Sequence, residues 1–390
     1  MNHKIEMGLK SEFWSRFEVR IVVLSLLVHL PLIIYDGLYN SDVPDGYHCP
    51  DYDLWIDRTE VILDGGVLYR DGSYPVRAMP LASYFLLPPV IFGGGHIAAF
   101  ELYFSLFDTL AAILIYRIFL RGIGFFKGEV FAQRCAIFYA LNPFVIANST
   151  LRAQDECILV VFFLLFTYSI ILNQHYKAAV ILGLGVLIKP TIGLLLPLLI
   201  FAEGNKYQKL VRFGIISLVV GAIILPFYIL AGSEIIEMIE NVTFTGGIGI
   251  VYFLKAYGYD LPLAPFSILF IVSYFSICYL VITRKIEPWA ASLIIMCCFL
   301  LIFTKVHSSY FLFALVYAAP FALDNRKLLI ELSVIFPPIL TFIDFAKASK
   351  RRGDLFFLFS GVLAWIIVAL ILLHLAFFTW KTVKSKQNMT

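Results

Sequence analysis

Charge is scarce in this 390-residue chain: Asp, Glu, Lys and Arg together make up 15% of it, against about 25% in soluble globular proteins. That scarcity excludes a solvated soluble domain and a disordered chain. The net charge of +3 gives no expectation of a nucleic-acid partner. Six cysteines, at positions 49, 135, 157, 278, 297 and 298, show neither zinc-ligand spacing nor Cys-x-x-Cys, so they read as packing residues. No Gly-rich strand-to-helix fingerprint exists to cradle a nucleotide pyrophosphate, and Gly93-Gly94-Gly95 follows no strand. Internal repeats, low-complexity tracts, alternating barrel strands and a separate soluble domain are all missing.

What remains is apolar. Hydrophobic residues are 61% of the chain and aromatics 16%, with a mean hydropathy of +0.87. The expected fold is an all-α, polytopic transmembrane bundle forming a single domain over 1–390, because only helices and closed barrels satisfy backbone polar groups in lipid. About ten full spans are expected, at 20–36, 97–120, 130–149, 157–173, 211–231, 263–283, 288–304, 309–323, 328–345 and 355–380. The first lacks a small-residue cleavage site and is read as an anchor. Segment 178–201, interrupted by Lys189-Pro190 and loosened by Gly183, Gly185 and Gly193, is expected to form a hairpin of two short helices around a cavity-lining break.

Basic residues are retained on the cytoplasmic side during insertion. Lys4, Lys10, Arg16 and Arg20 place the N-terminus inside, and Arg117, Arg121, Lys206, Lys209, Arg212 and Lys381 follow it there. Lys347, Lys350, Arg351 and Arg352 fall outside and breach the rule. Carboxylates are read as confined to loops, and the loops facing outward are the acidic ones.

The outer loop, 36–96, has an internal order. The acidic run Asp51-Tyr52-Asp53-Leu54-Trp55-Ile56-Asp57 comes first, then an amphipathic helix over 56–63, then Gly65-Gly66 as its stop. Tyr74-Pro75-Val76-Arg77 leads into an interfacial helix over 81–92. Arg152-Ala153-Gln154-Asp155-Glu156 and Thr304-Lys305-Val306-His307-Ser308-Ser309-Tyr310 face the same side. Acids and cations therefore gather on one membrane face. Each cluster alone also has a plain reading as a solvated loop, a snorkelling lysine or a local ion pair.

At these residues the chain resembles the glycosyltransferase C superfamily, multi-span enzymes that take a sugar from a polyprenyl phosphate. The similarity rests on Asp53, Trp55, Gly65-Gly66-Val67-Leu68-Tyr69, Tyr74-Pro75, Arg152-Ala153-Gln154-Asp155 and Lys189-Pro190, and extends to about Leu323. Asp51-Tyr52-Asp53 is similar to the Asp-x-Asp of the GPI-anchor first-mannosyltransferase group and its prokaryotic relatives. Thr304 through Phe311 is similar to that group's Asn-Lys-Val-x-x-x-Gln-Tyr-Phe, with Thr304 at the Asn position and no Gln.

The resemblance implies an inverting glycosyltransferase, expected to use mannose on a polyprenyl or dolichyl phosphate. A lipid or glycan acceptor would be served on the non-cytoplasmic face of a prokaryotic plasma membrane or the endoplasmic reticulum. Such transfer needs a base for the acceptor hydroxyl and cations for the departing phosphate. Asp53 is the expected base, with Asp51 orienting the acceptor or sharing the role. Arg77, Arg152, Lys189, Lys305 and His307 are expected at the phosphate, with Gln154, Asp155 and Tyr310 lining the substrate. No metal is demanded, although Asp51 and Asp53 could hold Mg²⁺ or Mn²⁺. A small membrane partner subunit is compatible with the pattern, and membrane lipids surround it. The competing readings are a flippase or transporter of a lipid-linked sugar, and an assembly subunit that keeps the fold without the activity.

Overall fold

The computed structural model describes residues 16–39, 51–73, 76, 78–122, 128–237, 249–284, 286–303, 306–348 and 355–387. Every regular element among them is helical, as lipid requires of a chain with no barrel pattern. Six helices are long and apolar enough to cross a membrane, or seven if Glu129–Ala140 and Pro143–Leu151, bent by 45°, form one span. The chain is an integral, multi-pass membrane protein. The expected count of about ten full spans is not reached.

The shortfall has a physical form. In chain order the helices are α1 (Arg16–Tyr39), α2 (Tyr52–Leu63), α3 (Pro80–Phe85), α4 (Leu87–Gly93), α5 (Ile97–Leu120), α6 (Glu129–Ala140), α7 (Pro143–Ile146), α8 (Glu156–Ile171) and α9 (His175–Val186). Then follow α10 (Leu196–Ile200), α11 (Lys206–Ala231), α12 (Ile250–Ala256), α13 (Leu263–Arg284), α14 (Pro288–Ile302), α15 (Leu312–Asp324), α16 (Arg326–Ile330), α17 (Phe336–Ala348) and α18 (Leu355–Gln387). At 1.5 Å per residue, helices of the length of α8 and α14 cover roughly 22–24 Å, less than the ~30 Å hydrocarbon core. Each ends early at a polar segment: α8 starts at Glu156, α9 stops just before Lys189, and α14 stops just before His307. The polar ends of these short helices gather at one end of the bundle.

The core is built where apolar faces meet. Trp289 is buried between Phe119 and Tyr317, with ring centroids 4.8 and 4.9 Å away, and its indole N–H donates to the Tyr317 carbonyl at 2.8 Å. The Tyr317 hydroxyl and Thr167 Oγ1 lie 2.7 Å apart, so the buried polar atoms at this crossing are satisfied. Cys135, Cys157, Cys278, Cys297 and Cys298 are free and buried, as packing residues should be.

One expectation is overturned here: carboxylates are not confined to loops. Glu101 and Asp108 lie within α5 and are buried, and Asp36 on α1 is buried as well. They fall along the α1–α5 contact, where Ser25 Oγ and Thr109 Oγ1 lie 2.6 Å apart and Arg117 Nε meets Glu18 Oε1 at 2.5 Å. Tyr139 donates its hydroxyl to Asp108 at 3.0 Å. An ionisable group is tolerated at such depth when neighbouring helices supply its partners.

The 56–63 helix begins earlier than expected, at Tyr52, and the 81–92 segment is two helices, α3 and α4, joined at Leu86. The turn Gly93-Gly94-Gly95 then swings the chain into α5. Gly94 and Gly95 adopt φ of +64° and +75°, a region open to glycine. A Cβ on Gly93 would lie 2.2 Å from the Cβ of Ala99, which has no rotamer with which to move aside. Gly93→Val should therefore destabilise the fold by about 2 kcal/mol or more. Thermal unfolding in detergent is expected to show a lowered midpoint that Ala99→Gly partly restores.

Candidate functional site

The start of α2 decides which acidic side chain faces the protein. With the helix running from Tyr52, roughly 100° per residue sets Asp51, Trp55, Arg58 and Thr59 on one face and Asp53, Asp57, Glu60 and Asp64 on the other, Asp51 and Asp53 lying about 200° apart. Trp55, Arg58 and Thr59 are buried. Trp55 packs on Phe100 and Phe104, with centroids at 5.3 and 5.5 Å. The Tyr52 hydroxyl donates to the Gly95 carbonyl at 2.5 Å, fixing the helix to the glycine turn. Asp53 is exposed and, among the described residues, makes no hydrogen bond or ion pair.

The second component is the segment entering α8. Ala147–Leu151 forms a π-helical turn, a distortion that often accompanies functional sites. Ala153 has a φ of +42°, uncommon for a residue with a side chain. Gln154 braces the bend, donating from Nε2 to the Arg152 carbonyl at 3.0 Å and from its backbone N–H to the Asn148 carbonyl at 2.9 Å. The bend brings Asp155 and Glu156 to the end of α9. There the Lys189 Nζ lies 2.5 Å from Asp155 Oδ1 and 2.5 Å from Glu156 Oε1.

The third component is the 306–311 segment. Lys189 Nζ sits 5.9 Å from the Tyr310 ring centroid, and Tyr310 stacks on Phe313 at 5.4 Å with His307 at 5.1 Å. Arg152 donates from Nη1 to Ser308 Oγ at 2.9 Å, and its Nη2 lies 2.9 Å from Asp344 Oδ2 on α17. Thus Asp51, Gln154, Asp155, Lys189, His307, Tyr310 and Arg152 belong to one end of the bundle. Arg77 and Lys305 lie outside the described residues, as do Tyr74-Pro75 and Thr304.

Lys189 and Arg152, both expected at a phosphate, each pair with a carboxylate of the protein. Asp51 and Asp53, expected as a pair able to hold a cation, are on opposite helix faces. Among the described residues no group of three or more His, Cys, Asp or Glu is placed to hold a metal ion.

Three residues were missed by sequence reasoning. Arg58 is buried and its charge interacts with Asp51, Asp155 and Tyr69; among the described residues it forms no ion pair within 4 Å. Its spacing of seven from Asp51 was a usable signal, hidden by the late helix start. Glu156 is buried beside Asp155, and its Oε2 has no hydrogen-bond partner among the described residues. Asp344 carried no signal, since nothing in its own neighbourhood marks a partner so distant in the chain.

Electrostatics single out Asp51. It is exposed by surface area, and the surrounding protein still desolvates the carboxylate enough to raise its pKa above the ordinary value. Asp155 pushes in the same direction, and Lys189 and Arg58 oppose it. Three carboxylates, Asp51, Asp155 and Glu156, face two cations, Lys189 and Arg58. When all are ionised the cluster carries one net negative charge.

Removing Lys189 strands two carboxylates together, and breaking a buried pair on one side costs about 3 kcal/mol or more. Lys189→Met is expected to lower the thermal midpoint in detergent sharply. Lys189→Met combined with Asp155→Asn should recover part of the loss, and a double-mutant cycle measures the coupling.

A family model described as GPI transamidase subunit PIG-U matches residues 63–258. That stretch runs from the end of α2 past α12 and includes Asp155, Glu156 and Lys189, with Asp51, Arg58 and Tyr310 beyond its limits. No curated protein matches the chain. Among solved structures, an apo oligosaccharyltransferase from Archaeoglobus fulgidus is similar at 14% identity and a TM-score of 0.44, over 92% of this chain and 57% of that one. The chain thus spans little more than half the length of that protein. With the matched stretch taking in just over half of its residues, this chain belongs to the PIG-U family.

Proposed function

We infer that the chain is a membrane glycosyltransferase that binds a lipid-linked sugar in the recess around Asp51. It transfers that sugar, mannose by resemblance, from a polyprenyl phosphate to a lipid or glycan acceptor on the non-cytoplasmic face. The observation that carries this reading is the electrostatic coupling of Asp51 to Asp155, Lys189 and Arg58, which come from three separate segments, with Lys189 and Asp155 ion-paired. A carboxylate with a raised pKa, open to solvent and set beside a cation, is suited to take a proton in the transition state.

The chemistry follows from the residues in place. An acceptor hydroxyl at Asp51 gives up its proton to the carboxylate as its oxygen bonds to the anomeric carbon. The bond from that carbon to the phosphate oxygen breaks, and the electron pair leaves with the lipid phosphate. One displacement inverts the anomeric configuration. Arg58, which forms no ion pair among the described residues, faces the charge that develops on the phosphate. Tyr310 offers an aromatic wall to the sugar. Asp53, on the outer face of α2, stands at the lip of the recess.

A second reading is favoured by the charge balance and the family together. The surplus carboxylate and the occupied state of Lys189 and Arg152 suit a polyhydroxyl or amine group better than a phosphate. A PIG-U family member can on that ground serve as a glycolipid-holding subunit beside partner chains, without transferring sugar itself.

Purified protein given radiolabelled polyprenyl-phosphate mannose and candidate glycolipid acceptors separates the two readings. Asp51→Asn should cut transfer by about 100-fold or more, the usual scale for a lost general base, while Asp53→Asn changes it little. Equal transfer by Asp51→Asn and the parent would refute the assignment of the base. Glycolipid binding that weakens in Asp51→Asn, with no transfer by the parent, would select the subunit reading.

The pH dependence has a defined sign. A base is active when ionised, so kcat/KM should rise with pH through a pKa above the ordinary carboxylate range. Arg58 lowers that pKa, so Arg58→Gln should move the acidic limb to higher pH. Asp155 raises it, so Asp155→Asn should move the limb the other way.

A further inference from the structure

At the opposite end of α8 and α9 from Lys189 lies a cavity of about 320 Å³. The length of those helices, 16 and 12 residues, puts it roughly 18–24 Å from the Asp51 cluster at 1.5 Å per residue. Its lining shares no residue with the Asp51 cluster.

Two helices start at its rim. The N-cap of α9, Gln174, makes no side-chain cap, so the first N–H groups of that helix, at His175, Tyr176 and Lys177, lack an intrahelical acceptor. The N-cap of α11, Asn205, accepts from the Gln208 N–H, leaving the N–H groups of Lys206 and Tyr207 open. Both dipoles thus present their positive ends to one space. The side chains add to the same sign. Arg212 lines the cavity, is buried at 4% exposure, and has an Nε with no hydrogen-bond partner among the described residues. Its other nitrogens donate to the carbonyls of Leu199, Ala202 and Glu203, which hold the guanidinium in place. His175 Nδ1 is also buried without a partner there.

The loop is shaped to admit this arginine. Gly204 has a φ of +140°, and a Cβ on it would meet Gln208 Oε1 at 2.6 Å and Arg212 Nη2 at 2.7 Å. A side chain at that position would displace the groups that line the cavity. Glu203 is the one carboxylate in the lining, and its charge opposes an anion.

We propose that this cavity binds a phosphate group, carried either by the headgroup of an anionic lipid or by a soluble phosphate. Open helix N–H groups, a buried guanidinium nitrogen and an imidazole supply donors in the number that phosphate oxygens accept. Lys206 and Lys209, at the start of α11, add long-range attraction.

Hydrogen exchange read by mass spectrometry tests this on the full chain without disturbing its fold. Protein in neutral detergent is titrated with inorganic phosphate. In parallel it is reconstituted in phosphatidylcholine nanodiscs with rising phosphatidylglycerol. Amides at 175–177 and 206–207 should exchange more slowly as either ligand is added. Protection by phosphatidylglycerol alone identifies a lipid headgroup, and protection by phosphate alone identifies a soluble ligand. Glu203→Gln should lower the midpoint about fivefold by removing one nearby like charge, and His175→Ala should raise it. No protection in either arm, or an unchanged midpoint in Glu203→Gln, overturns the site.

Discussion

The double ion pair of Lys189 with Asp155 and Glu156 is the interaction on which the polar end of the bundle depends. A lysine set between two helices among apolar segments is expensive to desolvate, and it stays charged because two carboxylates lie 2.5 Å from its Nζ. The pair joins the start of α8 to the end of α9. Around it the π-turn at Ala147–Leu151 and the left-handed Ala153 become intelligible: they are local distortions that turn Asp155 and Glu156 toward one ammonium.

The same economy explains the short helices. A helix that must deliver a polar end to a recess stops short of the full membrane thickness, and α8, α9 and α14 each do so beside a polar segment. Arg152 extends the arrangement to the far part of the chain. Its contacts with Ser308 and Asp344 tie the segment entering α8 to both the 306–311 turn and α17. The chain beyond Leu323, which no motif identifies, is thereby tied to the polar end of the bundle.

Polarity inside the bundle is handled pairwise elsewhere as well. Along the α1–α5 contact, Glu18 meets Arg117 at one end and Ser25 meets Thr109 further along. Buried Asp36 and Glu101 follow on the same contact. The acidic character of the protein is therefore divided between an inner seam and the outer recess.

Composition and run length alone determined that this is a helical, multi-pass membrane protein, because apolar content at this level leaves a chain no other way to satisfy its backbone. The motifs around Asp51, Asp155, Lys189 and Tyr310 were also legible, each as a polar interruption in apolar surroundings. What tertiary structure decided is how these interruptions use one another. A helix that starts at Tyr52 instead of Ile56 sets Asp51 and Asp53 on opposite faces and buries Arg58 on the face of Asp51. The carboxylates that neutralise Lys189 and Arg152 come from other helices, one of them on α17. Local sequence fixes which side chains are charged, but only packing fixes which charges face each other, since that depends on helix phase and on contacts between segments far apart in the chain.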